Sequence, residues 1–86
     1  MMRIFEVKNR EGCSELKFKG TWVECVKAIQ YWYDDLEDYD ENEKRIEYKA
    51  TIDPYDVTGN YMKIGESIRG AYEGADSYEW ELHRVA

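Results

Sequence analysis

Histidine and proline each occur once in this chain, as His83 and Pro54, and cysteine only twice, as Cys13 and Cys25. Two cysteines are too few for the disulfide framework of a small secreted domain, and their spacing matches no metal or redox motif. Both are read as reduced thiols in a cytosolic setting, with a pairing of Cys13 and Cys25 left open. Asn9, Asn42 and Asn60 lack a Ser or Thr two positions on, so no N-glycosylation acceptor exists. No apolar run approaches a membrane span, and the opening MMRIFEVKN contains no signal-like core. The expectation is a soluble, untargeted, cytoplasmic protein that spans no membrane.

Catalytic signatures are missing as well. There is no P-loop and no dinucleotide glycine pattern, and Ser67 in GESIRG lacks the glycine two positions later that a nucleophile elbow needs. Cys25 lies one turn into a helical pattern without a nearby histidine, which favours core packing over nucleophilic chemistry. Glu79, Glu81 and His83 fall on one face of a strand. With no other ligand cluster they read as an exposed polar face, and a small enzyme or metal protein built on them is the weakest reading. Neither catalytic residues, metal nor cofactor is expected.

Charge and aromatics are what the chain has in quantity. Eighty-six residues carry a net charge of -7. Residues 1–33 hold six bases and four acids, residues 34–43 hold seven acids and no base, and residues 44–86 hold six bases and eight acids. One ten-residue block thus equals the whole excess. Direct binding of nucleic acid or an anionic membrane is disfavoured, since both need a positive surface, and a basic partner is the natural complement. Three Trp, eight Tyr and two Phe can supply much of the core area that so short a chain otherwise lacks. One domain over 1–86 is expected, with no linker or internal repeat.

The hydrophobic pattern gives the elements in order. RIFEVK (3–8) and ELKFK (15–19) alternate as two strands of a hairpin, with Phe5, Val7, Leu16 and Phe18 inward and a loop around Gly12. TWVE (21–24) is a capping box opening a helix. Trp22, Cys25, Val26, Ile29, Tyr33 and Leu36 form its apolar stripe, and Tyr31 is placed on the opposite side among Asp34, Asp35 and Asp38. Beyond Leu36 like charges at i,i+4 and acids near the helix C-terminus oppose propagation. Fraying near 37–40 and an acidic loop should follow. RIEYKATID (45–53) alternates as the clearest strand, ended by Pro54. Residues 54–60 read as a turn-rich connection, 61–74 as a short helix or a strand, and 77–84 as a last strand with Tyr78, Trp80 and Leu82 inward. The fold class expected is α+β: an antiparallel sheet of four to five strands with one amphipathic helix packed on one face, in the order β-β-α-β-(short helix or strand)-β.

Asp38, Asp40 and Asn42 occupy the first, third and fifth positions of an EF-hand pattern. Glu43 stands where the turn needs glycine and Lys49 where the bidentate glutamate belongs, so the pattern fails. As a helix the acid block would carry roughly one charge per 2 Å, close to duplex DNA, whereas extended chain would halve that density. Tyr31, Trp32, Tyr33 and Tyr39 flank it, and exposed Tyr and Trp are common interface anchors.

A compact acidic domain without enzyme motifs, with carboxylates beside aromatics over residues 20–43, resembles the small phage and mobile-element anti-defence proteins of the anti-CRISPR or anti-restriction type, some of which mimic nucleic acid. The resemblance is one of size, charge and organisation. It implies a non-enzymatic, stoichiometric inhibitor in the host cytoplasm that blocks a basic nucleic-acid-binding surface of a CRISPR or restriction effector. Tyr31, Asp34, Asp35, Glu37, Asp38, Tyr39, Asp40, Glu41 and Glu43 would then form the partner-binding surface. The other open reading is a structural or interaction module, or a homodimer, in which the acid block serves solubility alone.

Overall fold

The computed structural model describes residues 2–10 and 16–86. The expected hairpin loop around Gly12, together with Cys13 and Glu15, lies outside the described residues. Strands β1 (Phe5–Asn9) and β2 (Lys17–Gly20) lead into helix α1 (Trp22–Asp34). The short helix α2 (Thr58–Tyr61) and strands β3 (Ser67–Gly70) and β4 (Trp80–Arg84) complete the chain. All pairings are antiparallel, in the order β2-β1-β4-β3. This is the expected α+β class, with a four-stranded antiparallel sheet and one main helix. No helix among the described residues is long and apolar enough to cross a membrane.

The alternation of β1 decides the two faces. Phe5 and Val7 are buried and meet Leu82, Phe18, Gly20 and Arg84 across the ladder. Trp22, Cys25, Val26, Ile29 and Tyr33 of α1 cover that face. Phe18 shares it but sits on the edge strand and stays 37% exposed. The other face carries Lys8, Lys17, Lys19 and Arg69 against Glu6 and Glu81, with His83 and Ser67, as the register places them. A strongly acidic chain therefore has a sheet face richer in bases than acids.

Helix α1 starts where its cap requires. Thr21 Oγ1 accepts from Glu24 N–H, and the Glu24 carboxylate accepts from Thr21 N–H at 3.0 Å. The helix stops at Asp34, capped by Asp35, two residues before the expected Leu36. No base lies in its last turn, and Arg45 supplies the missing positive charge from outside. The Arg45 guanidinium donates to the Asp34 carbonyl and, at 3.2 Å, to the Leu36 carbonyl.

Residues 45–53 are not a strand of the sheet, contrary to the expectation. They touch neighbouring backbone through the isolated bridges Tyr39↔Arg45 and Ala50↔Tyr72. Their alternation nevertheless holds: Ala50 is buried, Ile46, Tyr48 and Ile52 are half-buried, and Arg45, Glu47, Lys49 and Thr51 are exposed. The missing ladder is replaced on one side by a single side chain. Gln30 of α1 donates to the Tyr48 carbonyl at 3.0 Å and accepts from the Ala50 amide at 3.0 Å, pairing with the segment as a strand neighbour would. On the other side Thr51 N–H donates to Ala71 and Glu73 N–H to Lys49. The ambiguous stretch 61–74 resolves into the end of α2 and β3.

Two tryptophans fix the packing, and each needs a glycine. A Cβ on Gly59 would lie 2.5 Å from Trp22 Cδ2, and one on Gly70 would lie 2.4 Å from Trp80 Cζ2. Phe5 meets Trp22 edge-on at 5.5 Å. At the other end of α1, Tyr33, Tyr48 and Tyr72 meet in edge-on and tilted contacts at 4.7–6.1 Å between centroids.

Buried ionisable groups set the pH range of this core. Burial pushes the Cys25 thiol up to about 11. Burial, reinforced by the Glu79 carboxylate that accepts its hydroxyl proton at 2.9 Å, holds the Tyr33 phenol well above its usual value. In both cases the native state favours the neutral form. The stability it contributes is complete below the ordinary thiol value of about 8.5 and is lost as the pH rises through the native values. The urea midpoint should therefore fall steadily from about pH 8.5 upward. A midpoint constant to pH 11 would contradict the packing described for Cys25.

Candidate functional site

Beyond Asp34 the acidic block does not continue the helix. After the Asp35 cap the chain turns back as a tight hairpin. Tyr39 bridges Arg45, Ile46 N–H donates to the Asp38 carbonyl at 2.8 Å, and Asp40 N–H donates to the Lys44 carbonyl at 2.9 Å. Glu43 supports the turn in a left-handed conformation (φ 61°). The helical charge ladder that would have matched the density of duplex DNA is thus not formed, because only Asp34 of the block is helical. The carboxylates are instead spread over the helix end and cap (Asp34, Asp35), the first arm (Glu37, Asp38, Asp40) and the turn (Glu41, Glu43), while the returning arm begins with Lys44 and Arg45.

Three of the seven acids have internal tasks. Asp40 Oδ1 accepts the backbone N–H groups of Asn42 (2.8 Å) and Lys44 (3.0 Å), holding the turn. Asp38 Oδ2 accepts the Tyr48 hydroxyl at 2.8 Å, which ties the hairpin to the aromatic cluster and raises the Tyr48 phenol above its usual value. Asp34 Oδ1 accepts from Gln30 at 2.9 Å. Among the described residues Asp35, Glu37, Glu41 and Glu43 make no side-chain hydrogen bond. None of the seven acids forms an ion pair there, the two described pairs being Arg69 with Glu81 and His83 with Glu6. All seven residues are exposed.

Tyr31 projects from α1 with 78% of its surface exposed, as the helical projection requires, and Tyr39 stands on the hairpin arm at 59%. Of the two aromatics that flank the block in sequence, Tyr33 belongs to the core and half-buried Trp32 packs against it. Arg45 and Tyr48 are the residues that sequence reasoning missed here. Arg45 closes the helix and Tyr48 holds Asp38, so both organise the acidic surface without adding to its charge. Their only signal was position: the second base after the block, and an aromatic two residues into the alternating segment that follows Arg45.

Glu79, Glu81 and His83 do not form the one exposed strand face expected. Glu79 precedes β4 and turns to the helix side, Glu81 and His83 lie on the open face of the sheet, and all three are half-buried. Glu79 accepts from Tyr33, Glu81 pairs with Arg69 at 3.1 Å, and His83 Nε2 lies 3.5 Å from Glu6. Among the described residues no group of three or more His, Cys, Asp or Glu side chains is placed to hold a metal ion. Cys25 is a free, fully buried thiol whose Sγ contacts the Phe5 carbonyl at 3.4 Å.

No family model, curated protein or solved structure matches this chain.

Proposed function

We propose that the protein is a non-enzymatic, stoichiometric inhibitor that sets its acidic hairpin into a basic, nucleic-acid-binding surface of another protein, such as a CRISPR or restriction effector. The observation that carries this reading is a set of seven exposed acids running from the end of α1 into an ordered hairpin, none of them ion-paired among the described residues. Gathering like charges costs stability, and here the hairpin is held by Arg45, Tyr48 and Asp40 rather than left to spread. A positive partner surface relieves that repulsion and steers association. Asp35, Glu37, Glu41 and Glu43 supply the charge that is not used internally, with the exposed Tyr31 and Tyr39 as anchors. The mimicry is of charge, not of the spacing of phosphates along a duplex.

The test is competition. A labelled duplex bound to a basic defence nuclease should be displaced at about one equivalent of the protein, and displacement should weaken with salt because exposed charges are screened beyond a Debye length of about 10 Å at 0.1 M. Unchanged duplex binding across such effectors at large excess would refute the proposal.

A further inference from the structure

Strand β2 lies at the edge of the sheet. Asn9 N–H donates to the Leu16 carbonyl at 3.0 Å, and Val7 and Phe5 stand opposite Phe18 and Gly20. The backbone groups of Leu16, Phe18 and Gly20 thus turn toward β1. By the alternation of an antiparallel ladder those of Lys17 and Lys19 turn outward. Among the described residues no strand pairs with that outer edge.

The two faces beside the edge differ in chemistry. On the open face Lys19 lies opposite Glu6, whereas Lys17 lies directly opposite Lys8. Like charges so placed destabilise a sheet and are relieved by an anion. On the helix face half-exposed Phe18 borders a groove of about 530 Å³ between β2 and α1, walled by Ala28, Tyr31 and Trp32 and lined as well by the charged Glu24, Lys27 and Asp35.

We propose that β2 takes up an extended strand from an acidic partner in which acidic and apolar residues alternate. Side chains of an added strand fall on opposite faces in turn. Its apolar residues would enter the groove against Phe18 and Trp32 while its carboxylates meet Lys17 and Lys19. A second copy of β2 does not fit, because it sets lysines against lysines on the open face. The lysines thereby guard the edge against its own kind and admit a strand of opposite charge. This surface selects a partner of the opposite sign to that of the acidic hairpin, although Tyr31 and Asp35 border both.

Isotope-labelled full-length protein titrated with a synthetic peptide of alternating glutamate and valine, about eight residues long, provides the test, with a lysine–valine peptide as control. The Lys17 and Lys19 amides should become protected from exchange, Phe18 resonances should move, and the control should bind at least about tenfold more weakly. Lys17→Glu with Lys19→Glu should reverse the preference between the two peptides. Lys19→Pro removes an outward N–H without touching a bond to β1. It should weaken binding while the amides between β1 and β4 stay protected, which reports an intact sheet. Equal affinity for the two peptides, or Lys17 and Lys19 amides that still exchange freely with glutamate–valine peptide at millimolar concentration, would overturn the proposal.

Discussion

Trp80→Ala should remove most of the stability of this fold. The side chain is fully buried on the central strand β4 and lies against the backbone of Gly70 on β3. Truncating a buried tryptophan costs about 3–5 kcal/mol, and domains of this size hold roughly 5–15 kcal/mol in total. Thermal unfolding should therefore drop by on the order of 20 °C, since about 1 kcal/mol moves the midpoint of so small a domain by 4–8 °C. The glycine supplies the internal control. Gly70→Ala puts a methyl where Trp80 Cζ2 already sits, with an expected cost of about 1–3 kcal/mol from overpacking. In the Trp80→Ala background the same methyl has room, so the two costs should be markedly less than additive. Additive losses would show that Gly70 is not the seat of Trp80.

Gln30→Met should loosen one segment more than it unfolds the molecule. Methionine keeps the length and apolar character of the side chain but neither donates nor accepts as the amide does. The Ala50 N–H, in a buried residue, and the Tyr48 carbonyl then lose their partner. An orphaned buried polar group costs about 1–3 kcal/mol, so a loss in that range is expected. Amide exchange at Ala50 should accelerate strongly while Val7 and Leu82, in the central strands, change only with global stability. Equal acceleration at Ala50 and in the central strands would mean that Gln30 is not the local tie for residues 45–53.

The difference between Gln30 and Thr21 explains what could be read from the sequence. The capping box at Thr21 and Glu24 is a local motif with its own geometry, and the stripe from Trp22 to Tyr33 follows the helical period. Both are properties of neighbouring residues, so they appear as expected. Ile46, Tyr48, Ala50 and Ile52 do turn inward, but a period of two reports which side chains are buried and not what the backbone bonds to. The backbone partners are a helix side chain and two isolated bridges, contacts that no local pattern encodes. The sites where helix and hairpin join were harder still. Self-repulsion correctly ended the helix before the hairpin, yet nothing nearby announced that Arg45 would return to its last carbonyls or that Tyr48 would anchor Asp38. The exposure of Tyr31, the carboxylates and Tyr39 was legible, whereas the ordered shape that presents them was not.

That shape separates the acids that build the hairpin from those that only decorate it, which permits a clean charge test. Asp35, Glu37 and Glu41 accept no side-chain hydrogen bond among the described residues, so lysines at those three positions leave Asp40, Asp38 and Asp34 in place. The triple variant Asp35→Lys, Glu37→Lys, Glu41→Lys should keep the native fold by circular dichroism. Titrated against a basic defence effector that the unmodified protein inhibits, it should lose inhibition by at least about a hundredfold, the loss of about 2.7 kcal/mol of binding energy. Inhibition by the folded triple variant at the potency of the unmodified protein would contradict the account.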